Sequence, residues 1–163
     1  MKPATSLILF TVLSGFGFGL LFWLNLNLHS SSNFSDIIIF PTAFLISIIG
    51  LISSSFHLGN PQRALLAFTQ WRSSWLSREA ILAVLTLFTS FIYAVLHIFF
   101  ELRIFWLGLI ASALCLLTIF CTAMIYTQMK TVPRWNMKII PILFLLYGIV
   151  GSSITVSNGL FSF

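Results

Sequence analysis

Residues 80–100, AILAVLTLFTSFIYAVLHIFF, form a run of 21 residues without Asp, Glu, Lys or Arg. An α-helix rises about 1.5 Å per residue, so about 20 apolar residues cross the roughly 30 Å hydrocarbon core of a bilayer. A strand of a membrane barrel would alternate apolar and polar residues, and this run does not. The stretch therefore predicts a transmembrane helix.

The rest of the chain repeats this pattern. Charged residues make up 7% of the sequence, whereas a soluble domain has about 25%, so a soluble domain is excluded. Four more runs lack all four charged residue types: 3–35, 37–62, 104–129 and 139–163. The sequence predicts an all-α integral membrane protein with a single domain over residues 1–163 and a bundle of about five transmembrane helices, at about 5–28, 36–57, 79–99, 103–128 and 138–157.

The first apolar run could be a membrane helix or a secretory signal peptide, because signal peptides also begin with a basic residue such as Lys2 followed by apolar residues. The run is longer than the 7–15 apolar residues of a signal peptide, and no A-x-A cleavage site follows it. We expect it to be the first membrane helix.

The two cysteines, Cys115 and Cys121, both fall in the fourth predicted helix. They lie six residues apart, on different sides of that helix, and neither belongs to a C-x-x-C motif. We expect buried apolar side chains rather than a disulfide, a redox site or a metal site.

The net charge is +5, because eight Lys and Arg outnumber three Asp and Glu. The Lys and Arg are distributed unevenly between the two ends of the predicted bundle. The end that holds the N-terminus carries nearly all of them, and the other end carries Arg103. By the positive-inside rule the N-terminus is cytoplasmic. The charge thus indicates membrane topology, and we expect no nucleic-acid partner.

Gly15 and Gly19 lie four residues apart in the first predicted helix. Small residues at this spacing let two membrane helices approach closely. The pair predicts a helix-packing surface rather than a ligand site.

The segment between the second and third predicted helices gathers ionisable and aromatic residues. Asn60 and Pro61 favour a helix start, and the apolar residues that follow share one helical face, so we expect a short interfacial helix with tryptophans at headgroup depth. Ser73 or Ser74 is expected to cap the third membrane helix, with Arg78 and Glu79 in its first turn.

His57 and Glu79 flank this segment, at the end of one membrane helix and the start of the next. The chain returns to the same membrane face, so the two side chains can lie close together. Quinol oxidation releases two protons and two electrons, and it needs nearby proton acceptors. A structural explanation remains open, since a carboxylate in the first turn also stabilises a helix N-terminus and a histidine can cap helix carbonyls.

The motifs HLGNPQRA (57–64), SREA (77–80) and TVPRW (131–135), the last of them after MIYTQM (124–129), occur in this order. Together they resemble the membrane-anchor subunit of the dimethyl sulfoxide reductase family, and the similarity extends from about residue 51 to 151. Members of that family usually have eight transmembrane helices and an external N-terminus, whereas this chain has five predicted helices and a charge pattern that favours an internal one.

The resemblance implies a multi-pass protein of the bacterial inner membrane that takes part in anaerobic respiration. It would anchor a molybdopterin catalytic subunit and a four-cluster iron–sulfur subunit, oxidise menaquinol and pass the electrons to the iron–sulfur subunit. His57 and Glu79 match family positions for quinol binding, and we add Arg63 to that site. We assign Arg72 and Arg78 to the interface with the iron–sulfur subunit. The chain itself would carry no haem or metal and would not be catalytic alone.

Two other functions remain open. His29 and His97 fall toward the same membrane face, and two axial histidines on neighbouring helices are the arrangement that a haem b anchor uses. A small transporter or a purely structural membrane protein is the other alternative, although transporters usually contain interrupted helices and polar residues at the membrane midplane.

Overall fold

The computed structural model describes residues 5–26, 33–55, 70–128 and 135–160. These ranges contain five α-helices and no strand, and every helix is long and apolar enough to span a membrane. The prediction of an all-α membrane bundle is confirmed. The helices are α1 (Thr5–Leu26), α2 (Asn33–Ser55), α3 (Trp75–Phe100), α4 (Phe105–Thr127) and α5 (Ile140–Leu160).

Successive helices run in opposite directions, so the ends of the bundle can be named by α1. The proximal end holds the start of α1 and α3 and the end of α4, and the distal end holds the start of α2 and the end of α3. The predicted interfacial helix between α2 and α3 falls largely on residues 56–69, which lie outside the described residues. Residues 70–74, which follow them, form a turn.

The start of α3 differs from the sequence expectation. The helix begins at Trp75, four residues before the predicted start, and Ser74 occupies the N-cap position without a side-chain capping bond. The expectation that Glu79 lies in the first turn is therefore wrong, because that turn contains no acidic residue. Arg78 is the fourth residue of the helix, and its N–H closes the first turn by donating to the Ser74 carbonyl oxygen at 3.2 Å. The helix can begin before Arg78 and Glu79 because both side chains have hydrogen-bond partners within the protein.

α1 is the central helix and packs against α2, α4 and α5, while α3 packs mainly against α4. Small residues permit these contacts. A Cβ atom added to Gly17 of α1 would collide with Ser47 of α2, and one added to Gly50 of α2 would collide with Ser14 of α1. The same two helices thus approach closely at two separate points, each formed by a glycine and a serine.

Another close approach joins α1 to α5. A Cβ at Gly19 would collide with the carbonyl oxygen of Gly148, and Trp23 Nε1 donates a hydrogen bond to the Ile149 carbonyl oxygen at 3.0 Å. A Cβ at Gly15 would meet nothing within 4 Å, although a Cβ at Gly148 would lie 3.2 Å from the Gly15 carbonyl oxygen. The two glycines predicted to pack helices therefore have different surroundings, one crowded and one open.

Candidate functional site

Glu79 lies in α3 near the proximal end and points into the bundle. Its side chain is 3% exposed, and the Thr122 hydroxyl of α4 donates a hydrogen bond to Glu79 Oε1 at 2.5 Å. An ionisable group inside a membrane bundle is costly to bury, so it usually pairs with another polar group and marks a functional site. The carboxyl group thus faces a neighbouring helix rather than the backbone N–H groups of its own first turn.

Tyr126 follows Thr122 by one turn of α4 and is also buried. Its ring lies edge-on to Trp135, with centroids 5.3 Å apart, and is tilted against Phe144 at 5.4 Å. Tyr126 Oη has no hydrogen-bond partner among the described residues. Because a buried hydroxyl normally finds a partner, this oxygen is available to a bound molecule.

A cavity of about 300 Å³ opens beside Tyr126, between α1 and α5 and under Trp135. A second cavity of about 350 Å³ shares Thr11, Phe144 and Tyr147 with the first and continues along α1 and α5 past Gly15 and Gly148. The absence of a side chain at Gly15 therefore leaves space in this second cavity. The two cavities together form an apolar groove whose first part is lined by the aromatic rings of Tyr126 and Trp135.

The two arginines assigned to a partner interface have different roles in the structure. Arg78 Nε and Nη2 donate to the carbonyl oxygens of Trp71 and Arg72, at 2.9 and 2.7 Å, and its guanidinium lies 4.4 Å from the ring centroid of Trp75. Arg72 is exposed, with its guanidinium 5.3 Å from the Trp71 ring centroid. Arg78 thus holds the turn before α3, and Arg72 is directed to the surface.

His57 and Arg63, the other two residues predicted to bind quinol, fall within residues 56–69 and so lie outside the described residues. Their predicted proximity to Glu79 stays a prediction. His29 of the haem alternative also lies outside them.

His97 has a different setting from the one that the haem alternative assumes. Its Nε2 lies 2.9 Å from Asp36 Oδ2, and both side chains are about 1–2% exposed. The ring is stacked on Tyr93, with centroids 6.0 Å apart, and is tilted against Phe40 at 6.3 Å. His97 therefore belongs to a buried pair between α2 and α3 at the distal end.

The sequence reasoning missed Thr122, Tyr126 and Asp36. A signal was present in α3, where polar residues recur at a spacing of four or seven and so share one helical face: Glu79, Thr86, Ser90 and His97. Such a stripe in an apolar helix indicates polar partners on neighbouring helices, and α4 provides them for Glu79 and Thr86, α1 for Ser90 and α2 for His97.

The sequence of this chain matches the DMSO reductase anchor subunit (DmsC) family over residues 1–162. It is 33% identical over 170 aligned positions to the C subunit of the sulfite dehydrogenase of Allochromatium vinosum, an alignment that covers 91% of this chain and 52% of the relative. The chain thus spans about half the length of the curated relative that it matches. No solved structure matches it. With its five membrane-spanning helices and a family match over nearly its whole length, the chain belongs to the DMSO reductase anchor subunit family, the membrane anchors of oxidoreductase complexes.

Proposed function

We propose that this chain anchors a molybdopterin and iron–sulfur oxidoreductase at the membrane and exchanges electrons between menaquinol and the iron–sulfur subunit. The observation that carries the proposal is the buried Glu79 carboxyl group at the proximal end, hydrogen-bonded to Thr122. Family membership supports the anchoring role, and the buried carboxyl group supports quinol chemistry at this end of the bundle.

The chemistry requires a proton acceptor. Oxidation of one quinol releases two protons and two electrons, and the electrons pass to a cluster of the partner subunit. The protons need a base within hydrogen-bond reach of the headgroup, directly or through one intervening group. In the proposal Tyr126 Oη binds the headgroup, and one water molecule carries the proton from the headgroup to Glu79.

The cavities beside Tyr126 suit the two parts of such a ligand. A headgroup would lie between Tyr126 and Trp135, and its apolar tail would follow the continuation past Gly15 and Gly148. Trp135 is also the last residue of the TVPRW motif. His57 and Arg63 would complete the site from residues 56–69.

The direction of electron flow is a separate part of the proposal. The family name refers to a reductase, which would draw electrons from quinol. The relative from Allochromatium vinosum is named for a dehydrogenase, and an anchor of such an enzyme would pass electrons to quinone instead. We favour quinol oxidation, and the same residues would bind the ligand in either direction.

The first test is the composition of the complex. An affinity-tagged chain, solubilised in mild detergent, should retain a molybdopterin protein and a multi-cluster iron–sulfur protein, identified by mass spectrometry. Recovery of neither protein would contradict the anchoring role.

The second test separates quinol chemistry from the rest of the enzyme. Activity of the purified complex is measured with menaquinol and with a reduced viologen dye, which donates electrons to the partner subunits directly. Glu79→Gln should lower the menaquinol-linked rate by about 100-fold, as expected for a lost general base, and leave the dye-linked rate unchanged. Glu101→Gln, an exposed glutamate at the distal end, is the matched control. Equal menaquinol-linked rates in wild type and Glu79→Gln would refute the assignment.

A further inference from the structure

A row of buried polar side chains runs through the centre of the bundle, mainly where α3 faces α4. Eighteen residues separate Glu79 from His97 along α3, which corresponds to about 27 Å of helix and nearly the thickness of the hydrocarbon core. The members of the row are all less than 9% exposed. In order from the proximal end they are Glu79, Thr122, Thr118, Thr86, Ser90, Cys115, Asn25, His97 and Asp36.

The proximal half of the row consists of two contacts between side chains of α3 and α4. Thr122 donates to Glu79 at 2.5 Å, and one turn further in the hydroxyl oxygens of Thr86 and Thr118 lie 2.8 Å apart. These contacts pair each polar residue of α3 with one from α4.

The distal half continues with contacts from two more helices. Asn25 Nδ2 of α1 donates to Ser90 Oγ at 2.8 Å and lies 3.9 Å from Cys115 Sγ. The His97–Asp36 pair, with its 2.9 Å contact, completes the row at the distal end. Four helices therefore contribute to one polar path between two ionisable ends.

The contacts along the row are separated by steps of one or two helical turns. A turn is about 5.4 Å, which one water molecule bridges with two hydrogen bonds of about 2.8 Å each, and a step of two turns, about 11 Å, needs a file of about three water molecules. Asn25 Oδ1 and His97 Nδ1 have no hydrogen-bond partner within the part of the chain that the structure describes. Both atoms are buried on the row, and water molecules at these steps would satisfy them.

The threonine hydroxyls can change direction. Thr122 Oγ1 reaches both Glu79 Oε1 and the Thr118 carbonyl oxygen, yet a hydroxyl group has one proton to donate. Thr86 and Thr118 each reach a carbonyl oxygen one turn back, at Leu82 and Leu114, as well as each other. Each hydroxyl thus has two acceptors, and its rotation reverses the donor–acceptor direction of the hydrogen bonds at that point of the row.

Helix packing alone does not account for this row. Threonine and serine often bond to the carbonyl oxygen of the preceding turn or to a neighbouring helix, and they hold membrane helices together in this way. Thr89 is an example, because it bonds to the carbonyl oxygens of Leu85 and Thr86 on the lipid-facing side of α3. The buried row differs in having a carboxyl group at each end and, at Asn25 Oδ1 and His97 Nδ1, buried polar atoms without a partner in the described residues.

We propose that this row conducts protons between the proximal and distal faces of the membrane. The proposal rests on the proposed function for its source of protons. Each quinol oxidised at the proximal end yields two electrons, which pass to the iron–sulfur partner, and two protons, which enter at Glu79. The protons then pass by hydroxyl rotation and bridging water to the Asp36–His97 pair and leave at the distal face. No covalent bond to carbon forms or breaks in the row.

The test uses the whole complex in liposomes that contain a pH-sensitive dye. A membrane-impermeant terminal acceptor restricts turnover to complexes whose partner subunits, and hence whose proximal face, point outward. Menaquinol should then acidify the interior in the wild type. In Thr86→Val/Thr118→Val the quinol protons would leave Glu79 at the proximal face instead, so interior acidification should fall to the level of protein-free liposomes, while electron transfer in the presence of a protonophore stays at the wild-type rate. Thr89→Val is the matched control and should behave as the wild type.

The variants separate loss of the hydroxyl from loss of the fold. Thr86→Ser/Thr118→Ser keeps both hydroxyl groups and should restore acidification. A wild-type complex that transfers electrons without acidifying the interior, or a valine variant that acidifies as the wild type does, would overturn the row as a proton path. A wild type without any menaquinol-linked electron transfer would instead contradict the proposed function. In that case proton flux under an imposed pH gradient, compared between the wild type and the valine variant, tests the row independently, and equal fluxes would overturn it.

Discussion

Asp36 in the first turn of α2 and His97 in the last turn of α3 lie 2.9 Å apart, and this pair links two helices that otherwise touch little. Between them α2 and α3 leave an apolar groove of about 670 Å³, lined by residues such as Phe44, Phe88 and Phe91. Within the described residues, the pair is therefore the main polar connection between α2 and the α3–α4 half of the bundle.

The pair should be strongly coupled in stability. Removal of one partner of a buried hydrogen-bonded pair typically costs about 1–3 kcal/mol, because the other partner stays buried and unsatisfied. We expect Asp36→Ala and His97→Ala each to lower the free energy of unfolding in detergent by this amount, and the double variant to lose clearly less than the sum of the two. A double-mutant cycle from denaturant unfolding measures the coupling. Additive losses would show that the two side chains do not interact.

The two glycines of α1 should respond differently to the same substitution. Gly19→Ala places a methyl group against the Gly148 carbonyl oxygen, whereas Gly15→Ala meets nothing within 4 Å. Overpacking of this kind costs about 1–3 kcal/mol, so Gly19→Ala should lower the midpoint of thermal unfolding. Gly15→Ala, its control, should leave the midpoint unchanged or raise it slightly, since alanine is the better helix former. Equal midpoints would mean that α1 and α5 can separate freely.

The helices were predictable from the sequence because charge-free runs of this length have few other structures in a membrane. Their pairing was not. Apart from the polar stripe of α3 and the glycine pair of α1, the helices are apolar on nearly all sides, so most faces do not indicate a neighbour. Glu79 was identified as a candidate, but its partner Thr122 lies 43 residues further along the chain. The stripe on α3 marks the face that meets a polar surface, but it does not say which helix or which residue supplies the partner.

The start of α3 was missed for a related reason. Arg78 was placed near the start of the helix, since charged residues favour the membrane surface. Its guanidinium in fact reaches back to the carbonyl oxygens of Trp71 and Arg72, so the helix extends further while the charge stays near the surface.

Arg78 should control the order of the turn before α3. Arg78→Ala removes two hydrogen bonds and the contact with Trp75, and we expect faster hydrogen–deuterium exchange across residues 70–78. Arg78→Lys should restore little, because an ammonium group lacks the planar fork that reaches two carbonyl oxygens at once. Arg72→Ala serves as the control, since its guanidinium is exposed. Unchanged exchange in Arg78→Ala would show that the turn does not depend on this side chain.

The charge pattern makes a prediction about orientation. In a chain with Cys115→Ala and Cys121→Ala, single cysteines are introduced as Arg103→Cys and Lys138→Cys, both at exposed positions on opposite faces. If the positive-inside rule holds, an impermeant maleimide added to intact spheroplasts should label Arg103→Cys directly and Lys138→Cys only after permeabilisation. The reverse pattern would place the N-terminus outside.

The paired glycine–serine contacts between α1 and α2 also limit how this protein can move. Gly17 of α1 lies against Ser47 of α2, and Gly50 of α2 lies against Ser14 of α1. Each helix therefore contributes the glycine at one contact and the serine at the other. Sliding one helix along the other would bring larger side chains against Gly17 and Gly50 at the same time. Piston-like motion of α1 against α2 thus meets a steric barrier at both contacts. The few contacts between α2 and α3 leave these two helices less constrained against each other across the apolar groove, whereas α4 stays packed on α1.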